Sequence, residues 1–91
     1  MYPINKKRIV WKEIKDQVVV MDLDTWSLYT FEHLAAFIWR RLVMRRNDHE
    51  ILEDIISEYK VGRVQALKDF RFFIKTLKKR NFFLKASNPK R

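Results

Sequence analysis

The 91 residues contain no cysteine, one glycine and two prolines. Without cysteine there is no disulfide and no thiolate metal site, which fits a reducing compartment. No run of roughly eighteen apolar residues occurs, which excludes a spanning helix of ordinary kind. The opening Met1-Tyr2-Pro3-Ile4-Asn5-Lys6-Lys7-Arg8 has no apolar stretch behind its charges, so it does not read as a secretory signal. The expected location is the cytoplasm, with no membrane partner. Little glycine and proline beside 47% apolar and 14% aromatic residues excludes a disordered or fibrous chain. A chain this short buries only about two thirds of its unfolded surface, so one core is expected. That core belongs to a single domain over residues 1–84, followed by a frayed basic tail over 85–91.

Groups for catalysis are also scarce. His33 and His49 stand far apart, with no further ligand at the spacing of one helix face, so no metal site is expected. Ser27, Ser57 and Ser87 have neither an adjacent histidine nor an elbow of glycines. Asp22 and Asp24 fall between two strand-like segments, where carboxylates act as turn formers. Nothing here indicates an enzyme, and no cofactor is implied.

Acids are few: 11 against 20 lysines and arginines, for a formal charge of +9. Residues 60–91 hold eleven of those cations and a single acid, Asp69. Such a field draws in nucleic acid or an acidic peptide without choosing between them.

What the chain does contain is clear periodicity. Ile9-Val10-Trp11, Val18-Val19-Val20-Met21 and Trp26-Ser27-Leu28-Tyr29-Thr30-Phe31 are β-branched and aromatic, and polar breaks at 15–17 and 22–25 separate them. They predict a three-stranded antiparallel meander. From Glu32 the period becomes helical, with Phe31, Ala35, Ile38 and Leu42 on one stripe and an end near Met44. Asn47 and Glu50 form a capping box that starts a second helix through Ile51, Leu52, Ile55, Ile56 and Tyr59. After Lys60-Val61-Gly62, the residues Ala66, Leu67, Phe70, Phe73, Ile74 and Leu77 line a third helix ending about Arg80, with Asn81 in the left-handed position beyond it. The fold class is α+β, three antiparallel strands followed by three α-helices. Phe72 stands apart from the core stripe, among Lys68, Lys75 and Lys79. The run Lys75, Lys78, Lys79, Arg80 reads most simply as a solvated last turn that complements the helix dipole.

Several segments together resemble the coenzyme PQQ synthesis protein D family and related recognition elements, including small stand-alone proteins of lasso-peptide biosynthesis. Tyr29-Thr30-Phe31-Glu32 is similar to that family's Tyr-x-Leu-Asn segment, and Ala35-Ala36-Phe37-Ile38-Trp39 to its alanine-rich run ending in Ile-Trp. Glu50, Ile51, Tyr59, Asp69, Phe73, Leu77 and Phe82 fall at matching distances. Glu32 replaces the usual asparagine, Val43-Met44 a common Asp-Gly, and Asn81 a common glycine. The resemblance implies a winged helix-turn-helix-like fold with no chemistry of its own. It also implies that the leader of a ribosomally made precursor peptide adds to the third strand, lies on the third helix and is handed to a leader peptidase or a radical enzyme. Carried onto this chain, the peptide-binding residues are Thr25, Trp26, Ser27, Leu28, Tyr29 and Thr30 on the strand. On the helix they are Val64, Leu67, Lys68, Arg71, Phe72 and Lys75.

Residue chemistry supports an open strand. Edges are normally blunted by lysine, proline or a bulge, and Thr25–Thr30 has none. Alternation places Tyr29 and Phe31 on the core face and Trp26, Leu28 and Thr30 on the other, which then lacks a cover. Pairing of two copies through this strand, a homodimer, stays open. So does nucleic-acid binding, because helix, turn and basic helix also describe a winged-helix reader of DNA. Against it, the third helix offers only Gln65 for adenine, and no long basic hairpin follows it.

Overall fold

The β-branched segments pair and the periodic ones coil. A computed structural model describes residues 2–84; the tail read as frayed, 85–91, lies outside them. Strands β1 (Ile9–Ile14), β2 (Gln17–Asp22) and β3 (Ser27–Phe31) precede helices α1 (His33–Val43), α2 (Asp48–Tyr59) and α3 (Arg63–Lys79). The sheet is antiparallel in the order β1-β2-β3, so the chain is α+β with the winged helix-turn-helix order of elements.

β1 and β2 join through Lys15-Asp16, and Lys15 adopts φ 58°, as so tight a reversal requires. Between β2 and β3, the Trp26 N–H donates to the Asp22 carbonyl at 2.7 Å. Trp26 has φ 60° and lies in this turn, which corrects its expected place in the third strand. The reversal ends on a left-handed residue, and that demand overrides the β preference of an indole.

Asp22 does form this turn, but it is also 1% exposed. Its Oδ1 accepts from the amides of Asp24 at 2.9 Å and Thr25 at 3.4 Å. Arg8 donates to both carboxylate oxygens at 2.9 Å. The Arg8 hydrogen bonds hold the Asp22 pKa below the ordinary carboxylate value; they outweigh the burial that opposes them and are helped by the Asp24 amide.

Helix ends follow from local chemistry. At α2 the Asn47 side chain accepts the Glu50 N–H at 2.8 Å, while the Glu50 carboxylate accepts the Asn47 N–H at 2.9 Å. α1 closes with Arg45 at φ 63°, its N–H on the Leu42 carbonyl and the Arg46 N–H on that of Arg41. This is a Schellman closure with arginine in the left-handed position, and α1 ends near Met44 as its periodicity predicts, although Val43-Met44 stand where Asp-Gly is common. Asn81 at φ 61° closes α3 in the same way, with the Phe82 N–H on the Leu77 carbonyl.

Ile9, Val18 and Val20 from the inner sheet face meet Ile38 and Trp39 of α1, Ile51 and Ile55 of α2, and Ala66, Phe70, Ile74 and Leu77 of α3. Phe82 is fully buried, its ring against Tyr29, Phe31 and Trp39. The start of the chain is stitched to the segment after α3. The Asn5 N–H donates to the Phe82 carbonyl at 2.9 Å and the Leu84 N–H to that of Pro3 at 2.8 Å. No periodicity announces this pairing.

Candidate functional site

In an antiparallel strand, successive residues turn their main-chain groups to opposite edges. The Leu23 N–H donates to the Arg8 carbonyl at 2.8 Å, so the pair Arg8 and Leu23 is hydrogen-bonded. Stepping by two along the ladder, Met21, Val19 and Gln17 also spend their groups on β1. Val18, Val20 and Asp22 are left to face β3, where their partners are Phe31, Tyr29 and Ser27. The free edge of β3 is therefore made by Leu28 and Thr30, each offering one N–H and one C=O. Tyr29, at the centre of the strand, has its own main chain committed to Val20.

Side chains follow the same alternation. Ser27, Tyr29 and Phe31 are half-buried on the helix side, whereas Thr30 is exposed and Leu28 is 61% exposed. At the turn end of β3, Trp26 is 74% exposed. Thr25 and Ser27 share a hydroxyl–hydroxyl bond of 2.9 Å, and the Thr25 hydroxyl also accepts the Ser27 N–H.

Rings join β3 to α3 and to the segment after it. Phe31 meets Phe73 edge-on at 5.2 Å, and Tyr29 meets Phe82 at 5.5 Å. The Arg80 guanidinium lies 4.7 Å from the Tyr29 ring centre, a cation–π contact that ties the end of α3 to the middle of β3. Position alone places Arg80 in a solvated last turn. Its role at Tyr29 has no short-range signal, because the two residues are distant in the chain. Along the outer flank of α3, Phe72, Lys75, Thr76, Lys79 and Arg80 line a shallow cavity of about 470 Å³. Phe72 is 73% exposed there.

The helix residues expected at the site do not all lie on one side. At 100° per residue, Phe72, Thr76 and Arg80 fall toward β3, while Leu67, Arg71 and Lys78 fall toward α2. Leu67, Arg71 and Lys75 line a second cavity with Tyr2, Leu52 and Ile74, of about 540 Å³. Lys75 borders both cavities, and Val64 and Lys68 are exposed on the ridge between the flanks. Tyr2 joins the second cavity with its hydroxyl donating to Asp48 at 3.2 Å. Burial raises the Tyr2 pKa, and the Asp48 charge adds to the rise.

Among the described residues no cluster of three or more His, Cys, Asp or Glu is placed to hold a metal ion, and no helix is long and apolar enough to cross a membrane. An unpaired strand edge beside an aromatic floor and a basic helix is a surface on which an extended polypeptide can pair. The family model described as coenzyme PQQ synthesis protein D matches residues 17–82, and the chain belongs to that family of non-catalytic recognition proteins.

Two solved structures share the fold. One, described as TbiB1 in complex with the TbiA(beta) leader peptide, has 26% identity and a TM-score of 0.85, covering 94% of this chain and 99% of that one. The other, a lasso peptide synthetase B1 complexed with the leader peptide, has 23% identity and a TM-score of 0.78, covering 86% of this chain and 92% of that one. No curated protein sequence matches the chain.

Proposed function

We propose that this protein binds the leader of a ribosomally made precursor peptide as an added strand on β3, alongside α3, and presents it to a processing enzyme in lasso-peptide biosynthesis. The observation that carries this reading is the free β3 edge at Leu28 and Thr30. The likeness to TbiB1, whose structure holds a leader peptide, supports it. Four main-chain hydrogen bonds at a net of about 1 kcal/mol each, and two or three apolar side chains at about 2 kcal/mol each, give roughly 8 to 10 kcal/mol gross. Lost freedom and ordering of a flexible leader remove several kcal/mol, leaving an affinity of roughly tens to hundreds of micromolar, which lets a carrier release its cargo.

The ladder parity supplies the test. Proline at Leu28 removes a donor that faces outward, whereas proline at Tyr29 removes one that pairs with Val20. Calorimetry with a synthetic leader of the precursor peptide it serves should show Leu28→Pro folded but binding at least about tenfold more weakly. Tyr29→Pro should lower the melting temperature. Unchanged leader affinity in a folded Leu28→Pro protein defeats this placement.

A further inference from the structure

Among the described residues five arginines have a carboxylate partner: Arg8, Arg40, Arg41, Arg46 and Arg63. Among the described residues Arg71, Lys75 and Lys78 have no carboxylate within ion-pair distance, and all three lie on the rim of the cavity between α2 and α3. Asp48 also lies on that rim, but it already accepts the Tyr2 hydroxyl. The floor beneath is apolar, made by Leu52, Leu67, Phe70 and Ile74. It is held from two sides: Leu67, Phe70 and Ile74 belong to a long helix, and Tyr2 packs on Phe83 at 5.3 Å with the Lys78 ammonium 5.2 Å above its ring. A volume of about 540 Å³ takes a few side chains and is far larger than an ion needs.

This cavity lies on the flank of α3 turned away from β3. A helix with its side chains is about 10 Å across, so a strand seated on β3 leaves the cavity unfilled. Unpaired cations around an apolar floor call for an occupant with acidic residues around an apolar anchor.

We infer that the α2–α3 cavity is a docking surface for an acidic segment of a second protein, the enzyme that processes the leader, engaged while the leader occupies β3. Identifying that partner as the processing enzyme rests on the function proposed above. The cavity and its chemistry do not. The two clefts on either flank of α3 then act as separate grips, one for cargo and one for recipient.

The test is a methyl NMR titration of the full chain with three probes: the synthetic leader, a synthetic acidic peptide with one central leucine, and that peptide with its acids changed to amides. The acidic peptide should move Leu52, Leu67 and Ile74 and leave Leu28 still, and the amide version should bind at least about tenfold more weakly. Lys78→Glu, on the rim of this cavity alone, should weaken the acidic-peptide shifts at least about tenfold while the leader still moves Leu28. Shifts at Leu28, equal binding of the amide peptide, or no binding of the acidic peptide would each overturn the proposal. So would a short DNA duplex that occupies the same face more tightly, with the steep linear loss in salt of phosphate binding. A leader that fails to move Leu28 while the acidic peptide still fills the cavity overturns the proposed function and leaves the docking surface standing.

Discussion

Removing the Asp22 carboxylate leaves the amides of Asp24 and Thr25 without their acceptor in the turn that feeds β3, and leaves Arg8 with the Asp24 carboxylate alone. Asp22→Ala should cost about 2 to 3 kcal/mol in urea unfolding. The pKa of Asp22 is lowered in the folded protein, so its contribution is complete above the ordinary carboxylate range and is lost as pH falls through the lowered value. Stability should hold through neutral pH and drop in acid, and Asp22→Asn should flatten that drop. Glu13 and Asp54, lowered by hydrogen bonds from Arg40 and Arg46, keep part of it. An acid limb identical in mutant and parent would remove Asp22 from the account. Phe72 is the opposite kind of residue, largely exposed and supporting nothing in the core. Phe72→Ala should leave the melting temperature unchanged and weaken leader binding by about 1 to 3 kcal/mol. A loss of a few tenths in calorimetry would mark it as an incidental surface ring.

At the scale of elements, the three strands and three helices were legible because each announces its period within a few residues. The capping box of Asn47 and Glu50 is a strictly local device, and it is found as read. Trp26 was misplaced because composition speaks for strand while the turn geometry speaks otherwise, and only the second is a constraint on the backbone. The open edge at β3 could be read from the absence of blunting residues. Which residues turn their main-chain groups to that edge could not, since parity depends on the partner ladder. The split of the α3 residues between two flanks follows from packing against α2 and Tyr2, which lies at the far end of the chain. α3 ends on Asn81 in a left-handed conformation that glycine adopts without the cost of a Cβ. Asn81→Gly should keep or raise stability, and Asn81→Val should lower it by about 1 to 2 kcal/mol in thermal unfolding. Equal melting temperatures for the two would show that this closure does not limit the helix.

For the whole molecule, the formal charge of +9 acts at long range and the sheet edge acts at contact. These separate in kinetics. Leader association by stopped flow should slow several-fold between low and physiological salt, while dissociation changes little. Dissociation that quickens in step with salt would mean that ion pairs hold the leader more than strand pairing does.

The alternation along β3 carries one more consequence. Its unused donors and acceptors recur at every second residue, so a guest displaced by two positions meets the same hydrogen-bonding pattern, and one displaced by a single position presents the opposite side chains to the rings below. For a leader paired as proposed, the edge would be a ruler graduated in dipeptides: it would measure phase, and the choice among in-phase placements would fall to the guest's own bulky groups. Sequences with little in common can share such a ruler provided their spacing agrees.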